Sequence, residues 1–271
     1  MNQPSSIPII LITSNQGRHH MAADYLKRNF NLLGVVSESR RVLKSGDTPE
    51  EDKVIKDYDR ECAEKEQEYF GYATQFPLPE EKILRIDYGT CGDPKILEWI
   101  QKLNPRYVVL FSASVVKGAI LSVYKGKIIN LHLGLTPYYR GWANAFWPLV
   151  NSEPECLGAT IHLVTEKLDS GDVLGQSRPE NVNKDDGPRD ISNKNVISGF
   201  ELLIRCIRGY DEGVIVPQTQ RFDAGKFYKQ KDYNGAAILK LKENFINGML
   251  KNYLENKTRR DKLMPIIEVP K

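Results

Sequence analysis

Cysteine is scarce and scattered in this chain. The four in 271 residues, Cys62, Cys91, Cys156 and Cys206, include no C-x-x-C pair. Neither a disulfide framework nor a thiolate zinc site follows, and reduced, mostly buried thiols are expected. No apolar run reaches the roughly 18 residues that span a bilayer, and the opening MNQPSSIPIILITSNQ has neither a basic segment nor a small-residue cleavage site. A cytoplasmic location with no membrane partner is the expectation. The phosphate-cradling glycines are missing too: there is no G-x-G-x-x-G after the first apolar run and no G-x-x-x-x-G-K-[ST] anywhere, so the common dinucleotide and P-loop readings fail. Charge excess is small. A formal net charge of +3 gives no reason to expect a nucleic-acid partner, although it leaves room for a local basic site for phosphates.

What is present is ordinary globular composition, 41% hydrophobic and 27% charged, enough to bury a core and to exclude disorder. Ile7 to Thr13 is unbroken apolar sequence, followed by a polar turn with Gly17 and a helical pattern through Met21, Tyr25 and Leu26; Leu32 to Ser39 reads as a second buried strand. Thr48-Pro49-Glu50-Glu51 is a capping box, and it opens a charged stretch to Phe70 that reads as a helix with a largely solvated face. EKILRIDYG, PKILEWIQKLN and PRYVVLFSAS repeat strand, helix, strand, with Asn104-Pro105 as the helix stop. KIINLHLGL is a further strand, and the aromatics of PYYRGWANAFWPLV are read as the start of a helix. GATIHLVTEKLDSGDVLGQ reads as strand, turn, strand. Such alternation predicts an α/β, Rossmann-like domain with a largely parallel sheet over residues 1–185, its ligands beyond the carboxyl ends of the strands. A mainly helical extension is expected over 186–271, and its partly apolar helices make a homodimer possible.

Chemistry concentrates in two places. Asn130 and His132, one residue apart at the end of an extended segment, project to the same side, where an amide and an imidazole can together hydrogen-bond a developing oxyanion. Asp169, in the turn LDSGD, is a carboxylate able to orient that imidazole and favour its charged form. Singly, Asn130 could be a turn-capping amide and His132 a satisfied buried histidine. His19 and His20 are adjacent, so they make a poor metal pair, but they lie just past the first strand and could touch a substrate.

Together these segments resemble the catalytic domain of the folate-dependent formyltransferases, the family of glycinamide ribonucleotide, methionyl-tRNA and amino-sugar formyltransferases. The family pattern is N-x-H-x-S-x-L-P-x-Y-R-G, then a strand and L-D-x-G. Asn130, His132, Pro137, Tyr139, Arg140, Gly141, His162, Leu168, Asp169 and Gly171 fall in register, and the resemblance covers roughly residues 7 to 180. Gly134 stands where the family often has Ser, and Thr136 where it has Leu. The resemblance implies transfer of the formyl group of 10-formyltetrahydrofolate to a primary amine, without a metal, by Asn130, protonated His132 and Asp169. It also implies a donor site along Phe111, Ser112, Ala113, Ser114, Val115 and Val116, with Leu168 opposite. Tyr139, Arg140 and Trp142, with His19 and His20, are the candidates for the acceptor. NLHLGL-[ST]-PYYRG followed by FWPL resembles the branch associated with surface-glycan biosynthesis, which implies a nucleotide-linked amino sugar as acceptor. Glycinamide ribonucleotide is the alternative, as is a formyltransferase-fold module acting on an aminoacyl or carrier-bound amine. Methionyl-tRNA fits less well, since no β-rich tRNA-binding segment follows.

Overall fold

The computed structural model describes residues 5–40, 46–143, 145–220 and 225–270. The chain opens with β1 (Pro8–Thr13), α1 (Gly17–Asn29) and β2 (Asn31–Glu38), then α2 (Pro49–Phe70), β3 (Ile83–Ile86), α3 (Pro94–Leu103), β4 (Tyr107–Phe111), α4 (Ala119–Val123) and β5 (Ile128–His132). Next come β6 (Tyr139–Gly141), α5 (Trp147–Val150), β7 (Ala159–Leu163), β8 (Val173–Ser177) and α6 (Pro188–Asp211). The chain closes with β9 (Lys226–Tyr228), α7 (Gly235–Ile246), α8 (Met249–Glu255) and α9 (Lys257–Leu263).

Among the described residues the main sheet runs β3-β2-β1-β4-β5-β7-β8, with β1 to β5 parallel and β7 and β8 antiparallel. Unbroken apolar strands fit this arrangement, because β1 is flanked by strands and covered on both faces. Ile9 and Leu11 pack beneath α1 and α6, while Ile10 and Ile12 pack toward α3 and α4. The order turns back between β1 and β4, a switch that opens a crevice beyond the carboxyl ends of the strands.

Helix starts follow the capping rules read from sequence. Thr48 caps α2 by accepting from the Glu51 amide at 3.2 Å, Asp93 caps α3, and Asn104 ends α3 in the left-handed region. Distant partners shape two further segments. Among its described residues PYYRGWANAFWPLV forms only the single helical turn α5, because Tyr139–Gly141 pairs in parallel with Lys226–Tyr228 and becomes strand β6. Tyr228 also stacks on Trp147 with ring centroids 4.0 Å apart. The second is α6, read from sequence as part of the C-terminal extension. It lays Val196, Phe200, Leu203 and Ile207 into the core beneath the sheet and packs on β5, β7 and β8. Beyond it, α7 and α8 pack with α2 and α5 in a separate apolar cluster around Tyr139, Trp147 and Tyr253. Among the described residues no helix is long and apolar enough to cross a membrane.

Candidate active site

Along β5 the pleat sends Ile128, Asn130 and His132 to one face and Ile129 and Leu131 to the other. Ile129 and Leu131 enter the core beneath α1 and α6, and Ile128 packs with α3 and α4. Past that cover, Asn130 and His132 face a cavity of about 810 Å³. Antiparallel β7 sets His162 opposite Asn130, with Asn130 Nδ2 and His162 Nε2 3.0 Å apart. His162 Nδ1 faces the Leu163 carbonyl at 2.9 Å, so the ring proton belongs on Nδ1, and Nε2 accepts from the Asn130 amide. His162 thus fixes the direction in which Asn130 presents its second N–H.

The loop between β7 and β8 brings Asp169 Oδ1 to 3.6 Å from His132 Nδ1 and 3.7 Å from His162 Nε2. Its shape depends on the glycines of the motif. At Gly171 a Cβ would lie 1.7 Å from the Leu163 carbonyl oxygen; at Gly141, where φ is 93°, it would lie 2.2 Å from that of Tyr228. The Gly141 backbone in turn hydrogen-bonds the Asp169 carboxylate. Ser112, Ala143 and Asp169, all on the cavity wall, hold φ of 50°, 56° and 48°, a conformation that non-glycine residues keep only where the surroundings impose it.

Burial works against the Asp169 carboxylate, but His132, His162 and the Gly141 backbone together outweigh it and hold the group down to about 2. For His132 the balance goes the other way. Burial lowers its pKa below 6.5; Asp169 and a hydrogen bond to the Tyr139 backbone oppose this, while His162 lowers it further. The two directions are compatible, because burial is outweighed at Asp169 and prevails at His132. The expectation that Asp169 favours the charged form of His132 meets a larger opposing effect, because burial outweighs the carboxylate and lowers the pKa of the ring.

The remaining expected residues distribute unevenly. Ser112, Ala113, Ser114, Val115 and Val116 line the cavity, whereas Phe111 is fully buried under His19, with centroids 5.3 Å apart. Leu168 also lines it, and both Val115 and Leu168 present exposed apolar surface there. Trp142 reaches the cavity edge-on to Tyr233. Tyr139 does not reach it: it is buried in the C-terminal cluster and its hydroxyl bonds Glu153. Arg140 follows on β6 opposite Phe227, and there the wall is made by Gly141 and Trp142. His20 lies off the cavity, between the Ala73 carbonyl at 3.2 Å and Asn15 at 3.0 Å. His19 touches the cavity but is buried. Since the Thr13 hydroxyl donates to the Phe111 carbonyl, His19 Nδ1 must be the donor to Thr13, and burial keeps the ring neutral.

Three contributors were not assigned from sequence. His162 fell in the motif without a role, though its alternation in ATIHL signalled a polar group on the Asn130 face. Glu38, buried at the end of β2, accepts from the Ser114 amide at 2.6 Å, the Ser114 hydroxyl at 2.5 Å and the Gly89 amide at 3.0 Å, and so clamps the Ser112–Val116 segment. An acid ending an apolar strand was the available signal. Finally, the charged helix α2 is not simply solvated: Tyr58, Asp59, Cys62, Ala63, Glu66 and Gln67 form a stripe on the cavity wall. Burial pushes the Cys62 thiol up to about 11, which leaves no thiolate nucleophile there at neutral pH. Among the described residues no group of three His, Cys, Asp or Glu side chains could hold a metal ion.

A doubly wound, Rossmann-like sheet thus carries an Asn, a His and an Asp together on the wall of one cavity. The sequence model of the formyl transferase family matches residues 9–207, and the chain belongs to that family. Methionyl-tRNA formyltransferase of Thermodesulfovibrio yellowstonii is 33% identical over 158 residues, 55% of this chain and 51% of that protein. The chain spans about half the length of the curated relatives it matches. The fold is similar to phosphoribosylglycinamide formyltransferase of Anaplasma phagocytophilum, with a TM-score of 0.55 and 14% identity, covering 83% of this chain and 100% of that one. It is also similar to an N-formyltransferase of Helicobacter canadensis in complex with folinic acid and dTDP-3-aminofucose, with a TM-score of 0.53 and 17% identity, covering 83% and 72% of the respective chains.

Proposed function

We propose that this chain is an N-formyltransferase that moves the formyl group of 10-formyltetrahydrofolate to the primary amine of a nucleotide-linked amino sugar. The observation that carries the reading is the convergence of Asn130, His132 and Asp169 on one cavity wall, with Asn130 held by His162. The donor supplies an electrophilic formyl carbon. As the neutral amine attacks it, negative charge gathers on the formyl oxygen, and the Asn130 amide and the His132 ring N–H are donors suited to receive it. Asp169 stabilises the imidazolium that forms as His132 takes up, through water, the proton shed by the amine, and that proton passes to N10 of the donor as the bond between N10 and the formyl carbon breaks and tetrahydrofolate leaves. The cavity residues fit the donor: the apolar faces of Val115 and Leu168 suit a flat pterin, and Ser114, clamped by Glu38, keeps the backbone of its segment in fixed register for a ring edge.

For the acceptor, a partly enclosed cavity walled by α2 and Tyr233 favours a small molecule, and the Helicobacter canadensis neighbour was solved with a nucleotide-linked amino sugar. A second reading, methionyl-tRNA, is favoured by the sequence relatives. Tetrahydrofolate release with a panel of nucleotide-linked amino sugars, glycinamide ribonucleotide and methionyl-tRNA tests both. Turnover with an amino sugar supports the proposal; turnover confined to one of the other two replaces the acceptor.

A further inference from the structure

The cavity that holds the Asn130 cluster is also walled by α1, α2 and α6, and it gathers guanidinium groups that the transfer chemistry does not use. Arg18 Nη1 meets Glu66 only at 3.8 Å, and its Nε approaches His19 Nε2 at 3.4 Å. Arg189, in the first turn of α6, lines the same cavity, and its Nε is shut away from solvent with no hydrogen-bond partner among the described residues. Arg40, just past β2, completes the group. Two acids share this wall. Glu66 faces Arg18, and Asp59 receives the Tyr233 hydroxyl at 3.5 Å. Three cations against two acids leave an excess of positive charge in a partly enclosed space, where screening is weaker than in bulk water. The crowding is felt by Arg18: burial lowers its pKa, Glu66 opposes this, and Arg189 and Arg40 lower it further.

A buried guanidinium N–H without an acceptor is unfavourable, and the planar fork of Arg matches the oxygens of a phosphate group better than any other side chain does. We infer that Arg18, Arg40 and Arg189 form the subsite for the diphosphate of the acceptor, an inference that rests on the nucleotide-linked amino-sugar reading above. The diphosphate oxygens accept from the guanidinium groups that Arg18 and Arg189 bring to the cavity wall and draw Arg18 from Glu66, while the sugar amine extends toward Asn130 and His132.

The test is direct binding, independent of turnover. UDP, dTDP and folinic acid are titrated separately by calorimetry into wild-type protein and into Arg189→Gln, Arg189→Lys and Glu66→Gln. Wild type is expected to bind folinic acid and at least one of the nucleotides. Arg189→Gln weakens that nucleotide by about ten- to a hundredfold, as loss of a charged hydrogen bond implies, and leaves folinic acid affinity unchanged. Arg189→Lys recovers part of the loss. Glu66→Gln binds the nucleotide severalfold tighter, a gain that a merely structural role for the cluster does not give and that reads out even if an Arg189 variant fails to fold. Unchanged nucleotide affinity in both Arg189→Gln and Glu66→Gln overturns the inference. So does a loss of folinic acid affinity in Arg189→Gln, which would assign the arginines to the donor's glutamate carboxylates. Wild type that binds folinic acid but neither nucleotide overturns the diphosphate subsite and leaves formyl transfer standing, whereas failure to bind all three overturns both.

Discussion

Replacing Asp169 by Asn removes one charge and keeps the side-chain shape, so it isolates the electrostatic partnership at the centre of the site. At the 3.6 Å separating Asp169 Oδ1 from His132 Nδ1, Coulomb's law gives about 1 kcal/mol in bulk water and about 4–5 kcal/mol at the effective dielectric of a protein surface. The side chains are 11% and 9% exposed, which puts the pair nearer the second limit. An opposite charge at such range moves a pKa by about 1–3 units. In the native protein that pull already loses to burial, since His132 sits below 6.5. Without it, His132 falls further, and its cationic form disappears at a pH lower by the same margin. NMR of labelled imidazole rings in the substrate-free protein, with the four histidines assigned by substitution, reads this directly. Turnover should fall about 10- to 1000-fold, because cationic His132 is stabilised less as charge builds on the formyl oxygen. Stability changes with a definite sign. The Asp169 carboxyl is depressed from 3.8 to about 2, so the group adds about 2 kcal/mol above pH 4, lost as pH falls toward 2. Asp169→Asn should therefore be less stable than wild type at pH 7 and converge with it near pH 2. An unchanged or raised His132 midpoint in a folded Asp169→Asn protein would refute the reasoning and leave Asp169 the role of a proton relay.

Asn130→Ala should lower turnover by about 10²–10³ while the affinity for folinic acid stays near wild type, since an oxyanion donor acts in the transition state; equal loss of affinity at unchanged turnover would make it a binding residue. His162→Phe should show a smaller turnover loss of the same kind, because Asn130 loses the partner that aims it, and a double variant with Asn130→Ala should add little to the single loss. Glu38→Gln unties the Ser112–Val116 segment and is expected to raise the KM for the donor with little change in the KM for the acceptor, read from steady-state kinetics. Charge swaps on the outer face of α2, such as exchanging Asp52 and Lys56, should leave activity intact and stability within about 0.5 kcal/mol by thermal melting. Cys62→Trp on its inner face should raise the acceptor KM.

How far the sequence could be read depended on whether a feature was local. The strands of the parallel sheet, the Thr48 and Asp93 caps and the Asn104 stop each announce themselves within a few residues, and the structure forms them there. Tyr139 and Arg140 did not, because their strand exists only by pairing with Lys226–Tyr228, and a local pattern of aromatics looks the same whether it ends in a helix or in a remote partner. The candidate site shows the same division. Spacing alone set Asn130 and His132 on one face of β5. The charge preference of His132 depends on burial together with Asp169, His162 and the Tyr139 backbone, which come from different segments, and reading the effect of Asp169 alone reversed the sign.

The neutral resting state of His132 has a mechanistic advantage that a permanently charged one lacks. A cation at His132 in the free protein would sit within reach of Asp169 as a settled ion pair, and its attraction would act before the formyl oxygen gained any charge. Stabilisation that is equal in the ground and transition states does not accelerate the chemical step. With burial holding His132 neutral and Asp169 fully ionised above pH 4, the pair is poised so that positive charge becomes favourable on the imidazole only as negative charge develops beside it. On the proposed reading, burial at His132 is part of the catalytic design. Turnover in a variant that wets the pocket, such as Leu168→Ser, should therefore fall even as the His132 midpoint rises toward 6.5, with the midpoint read by NMR and the rate by tetrahydrofolate release. A rise in both midpoint and turnover would show instead that a standing positive charge is what the reaction uses.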